Sequence, residues 1–108
     1  ADGACRLMLC AAAALVFLAT PALAQDKVLV ERGRALLERN CSSCHAIGED
    51  GASPLPAATA FRDIKQKYPV EALAEPLAEG IETGHPQMPT RAFAPEDVDA
   101  ILAYLETL

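Results

Sequence analysis

The chain has 108 residues, enough for one small domain. Its 9 Lys and Arg against 15 Asp and Glu leave a net charge of −6, which argues against nucleic acid and anionic membrane as partners. A domain of this size without tryptophan buries a modest core and needs a staple, a metal or a cofactor.

The first segment stands apart. Leu7 to Ala24 carries no charge, Arg6 precedes it, and Ala22-Leu23-Ala24 forms an A-x-A site before Gln25. This is the layout of a secretory signal peptide, so residues 1–24 are expected to be removed and residues 25–108 to form the working domain, exported to the periplasm. The competing reading is an uncleaved membrane anchor, since the run is just long enough to span a bilayer. The expected cleavage leaves the net charge unchanged and removes Cys5 and Cys10. The exported domain then holds only Cys41 and Cys44, which in an oxidising compartment must be catalytic or already consumed.

Asp26 to Asn40 reads as a helix, with Val28 or Leu29, Gly33, Leu36 and Leu37 at three- and four-residue steps and Asp26 as its cap. Gly33 costs about 1 kcal/mol against Ala in a helix interior. Close contact with another helix would explain it.

Next comes Cys41-Ser42-Ser43-Cys44-His45. A thiol-redox dithiol of the thioredoxin type requires a βαβ context that the pattern lacks. A structural zinc requires four N or S ligands, and only His85 remains outside the pentapeptide. C-x-x-C-H is the signature of c-type haem attachment. Residues three apart on a helical turn project to the same side, so Cys41 and Cys44 can both add to the vinyl edge of one porphyrin. His45 then lies under the iron, and both thiols are consumed.

Ala46 to Ala60 is rich in Gly, Pro and small residues and reads as a loop. Phe61 to Lys67 reads as a short helix. Val70, Leu73, Leu77 and Ile81 then share a helical face, with Pro69 at its start. Pro76 removes a hydrogen bond and clashes with the preceding turn, so this segment is expected to divide into two short helices. Gly84 to Pro89 is stiff and non-helical and carries two candidates for a sixth iron ligand, Met88 and His85. Met88, followed by Pro89, is the preferred one. Pro95, with Glu96, Asp97 and Asp99, opens a last helix whose buried stripe is Val98, Ile101, Leu102 and Leu105. No segment alternates as a strand does, so the expected fold class is all-α.

On these motifs the chain resembles the class I c-type cytochromes, the small monohaem type with His/Met ligation. The resemblance covers most of residues 30–108. It rests on C-x-x-C-H, on Gly33 eight residues before Cys41 against Ile101 and Tyr104, and on Gly80-Ile81…Gly84…Met88-Pro89. The chain is similar in particular to short bacterial forms sharing Y-P-V-E-x-L-A-E and T-G-H-P-x-M-P. The resemblance implies three to five short helices around one haem c, with the terminal helices crossing. It implies metal ligation by His45 and Met88. It also implies a carbonyl partner for the His45 ring, assigned to Pro54 with Pro56 as the alternative. Phe61 is expected to pack on the porphyrin and Arg62 to pair with a propionate. Leu37 departs from the family's frequent aromatic, Pro76 from its smooth helix, and the loop after His45 is compressed.

The function implied is electron transfer, with no enzymatic activity. A His/Met pair leaves no free position on the iron, and a soft thioether favours the reduced metal. The edge carrying Cys44 is the expected exit for electrons. The expected partners are redox proteins, donor and acceptor, with a basic patch complementary to the −6 charge, and the expected state is a monomer. The competing readings are a haem enzyme or sensor with a labile sixth site, a thiol-redox protein, and a membrane-tethered redox subunit.

Overall fold

The structure, a computed structural model, describes residues 20–82 and 85–108, with side chains from Asp26 onward. Most of the expected leader, residues 1–19, lies outside the described residues, as do Thr83 and Gly84. Among the described residues every regular element is helical. Helix α1 spans Thr20–Cys41, α2 spans Phe61–Lys67, α3 spans Ala74–Glu79 and α4 spans Pro95–Glu106. A 3-10 turn, Val70–Leu73, leads directly into α3. No helix among the described residues is long and apolar enough to cross a membrane.

Helix α1 begins six residues before Asp26, so Asp26 is not its cap. Pro21 stands in its first turn, where a missing N–H costs nothing, and Ala22, Leu23, Ala24 and Gln25 are good helix formers that carry it onward. The expected cleavage point, Ala24–Gln25, lies inside this helix.

Helices α1 and α4 make the main packing contact of the fold. Gly33 explains how. A Cβ built on it would stand 1.9 Å from the Ala100 carbonyl oxygen and 3.0 Å from the Tyr104 Cβ. The two backbones therefore touch where no side chain fits. Ala100 and Ile101 are fully enclosed as a result, with Leu37, Val98 and Leu105 buried around them. Leu102, expected in the buried stripe, is only half-buried, and Ala100 takes the place under the glycine. Arg32 pairs with Asp97 across the rim of the crossing. The expected α4 start is observed, with Pro95 in the first position and Glu96 and Asp97 in the first turn, where acids oppose the positive helix end.

Pro76 divides its segment as expected, but the break falls ahead of it. The chain runs as a 3-10 turn to Leu73 and starts α3 at Ala74, which places Pro76 in the first turn of a new helix. Val70 and Leu77 are buried, and Leu73 and Ile81 pack half-buried beside them. Gly80 ends α3 at φ +103°, donating its N–H to the Pro76 carbonyl (2.8 Å). Helix α2 is fastened to the end of α4 by the Lys65 ammonium, which donates to the carbonyls of Glu106 (2.6 Å) and Leu108 (3.1 Å).

Candidate haem-binding site

The site is built where α1 ends. Cys41 is its last residue, and its carbonyl accepts from the N–H groups of Cys44 (3.2 Å) and His45 (2.9 Å). The pentapeptide is thus a tight turn that continues the helix, which keeps the two thiols one turn apart. Both are free and half-buried. Burial pushes the Cys41 thiol upward, and the positive charge of Arg91 partly offsets it.

His45 is held from three directions. Its Nδ1–H donates to the Thr59 carbonyl at 2.6 Å. Its ring lies 4.9 Å from that of Phe61, centroid to centroid, tilted by 32°. Its backbone is fixed by the bond to Cys41. Protonation at Nδ1 leaves Nε2 with its lone pair, the form a metal requires, and the carbonyl partner strengthens it as a ligand.

The carbonyl is Thr59's and not that of Pro54 or Pro56, which are both exposed. The loop 46–60 explains the difference. Leu55 N–H donates to the Cys44 carbonyl (3.1 Å), Ala46 N–H donates to Ser53 Oγ (3.0 Å), and Phe61 N–H donates to the Ala46 carbonyl (3.0 Å). The loop is folded back on the pentapeptide at both ends. Thr59, two residues before Phe61, is brought onto the ring, while the prolines ride on the outside. The Tyr104 hydroxyl donates to the Ile47 carbonyl (2.7 Å), so α4 carries the loop as well. Burial pushes the Tyr104 phenol above its ordinary range, partly offset by Arg34.

Phe61 is buried against His45, so it walls the imidazole. Arg62 Nη1 is buried and has no hydrogen-bond partner in the protein. A buried guanidinium nitrogen left unpaired is costly, and it calls for an anionic oxygen to meet it. Met88 is half-buried on a turn closed by its own N–H and the His85 carbonyl (3.0 Å). His85 is exposed. The chain after Met88 returns to the cysteines: Arg91 Nη1 donates to Asn40 Oδ1 (2.7 Å), one residue before Cys41. Sequence reasoning missed both Thr59 and this Arg91–Asn40 bond.

The structure therefore gathers Cys41, Cys44, His45 and Phe61 into one unit. Pro54 falls outside it, and Met88 stands on a separate turn whose far end is tied to α1. The donor set fits a haem: two thiols one turn apart and an imidazole proton-locked at Nδ1. Among the described residues no three of His, Cys, Asp and Glu are grouped as a metal site of another kind would require.

Comparison with protein families matches residues 30–108 to the model described as Cytochrome c. Comparison with curated proteins and with solved structures finds no match.

Proposed function

The chain belongs to the cytochrome c family, and from that premise we propose that it is a one-electron carrier whose haem iron is held by His45 and Met88. Family membership itself brings haem-based electron transfer and a covalent haem c, here on Cys41 and Cys44. Bound there, the haem supplies a reversible Fe(III)/Fe(II) couple.

The rest is the work of the side chains. Two thioether links through Cys41 and Cys44 keep the group from leaving after export. His45 presents Nε2, because Thr59 holds the proton on Nδ1. Phe61 excludes water from one flank of that imidazole. Met88 supplies a soft, neutral sulfur that favours the reduced metal. Arg62 meets a propionate with its otherwise unpaired Nη1. Held by the same two ligands in both oxidation states, the metal would need little reorganisation for electron transfer. With both of those positions taken, no site would remain for a substrate, so the reading is a carrier.

The observation that carries this reading is the His45 Nδ1 bond to Thr59, which fixes the imidazole in its ligating form. The leader-like run of residues 1–24 supports a periplasmic carrier, and the −6 charge supports redox partners with a basic docking patch.

The test is carbon monoxide added to the reduced, haem-loaded protein. A carrier with two protein ligands shows no spectral change on mixing and titrates in one reversible one-electron step. Prompt carbon monoxide binding would instead support a haem enzyme or sensor. Mass spectrometry of the periplasmic fraction tests export: the expected chain begins at Gln25 and carries one haem.

A further inference from the structure

Met88 stands on the turn 85–88, between the end of α3 and the start of α4 at Pro95. The neck of this segment is tight. A Cβ on Gly80 would lie 2.8 Å from Thr90 Cγ2. Three residues further on, Phe93 N–H donates to the Leu77 carbonyl (2.9 Å). Both contacts tie the returning chain to α3 and its end, a helix of only six residues. Neither reaches α1, the helix from which the haem hangs. A bond between Met88 and the iron would require Met88 to hold its place relative to α1, and these two neck contacts are made to α3 and its end.

Arg91 reaches α1 itself. Its Nη1 donates to Asn40 Oδ1 at 2.7 Å. The other end of the same amide, Asn40 Nδ2, donates to the Leu36 carbonyl at 2.7 Å. With one end of the amide used on its own helix, the oxygen is left facing Arg91, so the acceptor is oriented before Arg91 arrives. Asn40 immediately precedes Cys41, and Arg91 lies three residues after Met88. One side-chain bond thus links the last turn before the haem attachment to the chain just beyond the thioether.

We propose that the Arg91–Asn40 hydrogen bond is a latch that holds Met88 in place relative to α1, making Arg91 and Asn40 positioning residues for the sixth ligand. The proposal rests on the reading of Met88 as that ligand. The latch sets how often Met88 would leave the iron. A departed Met88 would free that position for a competitor, so the apparent affinity of an external ligand would measure the fraction released.

Imidazole is the probe, titrated into the oxidised, haem-loaded protein. The variants are Arg91→Ala, Asn40→Ala, their double and Met88→Ala, with far-UV circular dichroism melting as the measure of overall stability. The two single variants are expected to bind imidazole about three- to tenfold more tightly than the wild type, the range of one ordinary hydrogen bond, since this one is exposed to solvent. The double variant is expected to match the singles, because all three remove the same bond. The sulfur-to-iron charge-transfer band should persist at low temperature and vanish on warming before the helices melt.

Unchanged imidazole affinity in Arg91→Ala and Asn40→Ala overturns the latch, as do additive effects in the double variant. A merely structural role would lower the melting temperature and leave imidazole affinity alone. Met88→Ala separates the two ideas. If it loses the band while the latch variants behave as wild type, only the latch falls. If it keeps the band and the wild-type imidazole affinity, the assignment of Met88 falls and takes the latch with it.

Discussion

The α1–α4 crossing and the two loops that flank the haem site are held by different forces. At the crossing the contact is apolar and direct. Ala100 and Ile101 are sealed, and Gly33 lets backbone meet backbone. In the loops almost nothing is fully buried, and position is set by single hydrogen bonds: Thr59 to His45, Tyr104 to Ile47, Arg91 to Asn40. The crossing supplies stability and the loops supply placement. A haem protein of this size needs both, because the ligands must be exact while the chain that carries them is too short to bury.

The largest expected effect falls on the crossing. Gly33→Ala forces a methyl group into the Ala100 carbonyl, and the neighbour there is backbone that cannot swing aside. The helices must separate, at a cost of about 3 kcal/mol or more. Denaturant unfolding of the haem-loaded protein measures it. A loss below about 1 kcal/mol would mean that the helices do not touch at Gly33, and the contrast with the loops would go with it.

A smaller effect is expected where the two regions are joined. Tyr104→Phe keeps the ring packing but strands the Ile47 carbonyl, at about 1 kcal/mol. It also predicts a pH dependence. Burial raises the Tyr104 pKa in the folded chain, so the folded state holds this proton more tightly than the unfolded one. The contribution is fully present below the unfolded value of about 10 and is lost as pH climbs from there through the raised folded value. Stability should fall across that alkaline window in the wild type and fall less steeply in Tyr104→Phe. Equal slopes would show that the phenol is not buried as described.

The smallest effect is on the rim. Arg32 is half-exposed in its pair with Asp97, so Arg32→Ala should cost less than about 1 kcal/mol and less still in high salt. A larger, salt-insensitive loss would move part of the crossing's stability from packing to charge.

The same division decides what the amino-acid sequence revealed. Periodic apolar residues announce a buried helix face, so α4 and most of α1 were legible. Gly33 was legible as a helix contact because a mid-helix glycine costs stability and needs a reason. Pro76 announced its break, though not that the new helix would start two residues ahead of it. The early start of α1 was hidden by treating Asp26 as a cap, when the Ala- and Leu-rich residues before it simply continue the helix. In the site, Cys41, Cys44 and His45 were legible because their chemistry is written in side chains at fixed spacing. The carbonyl on His45 was not. Every residue has one, so nothing in the composition of the loop separates Thr59 from Pro54, and only the two ends of the folded loop select it. The bond from Arg91 to Asn40 was invisible for a related reason: fifty-one residues separate two ordinary polar side chains.

The measurement that bears most directly on the central claim is the optical spectrum of the oxidised, haem-loaded protein, compared among wild type, Met88→Ala and His85→Ala. Ligation by His45 and Met88 predicts a sulfur-to-iron charge-transfer band in the wild type, its complete loss in Met88→Ala and its survival in His85→Ala. A wild-type spectrum without that band, or one that survives in Met88→Ala, would contradict it.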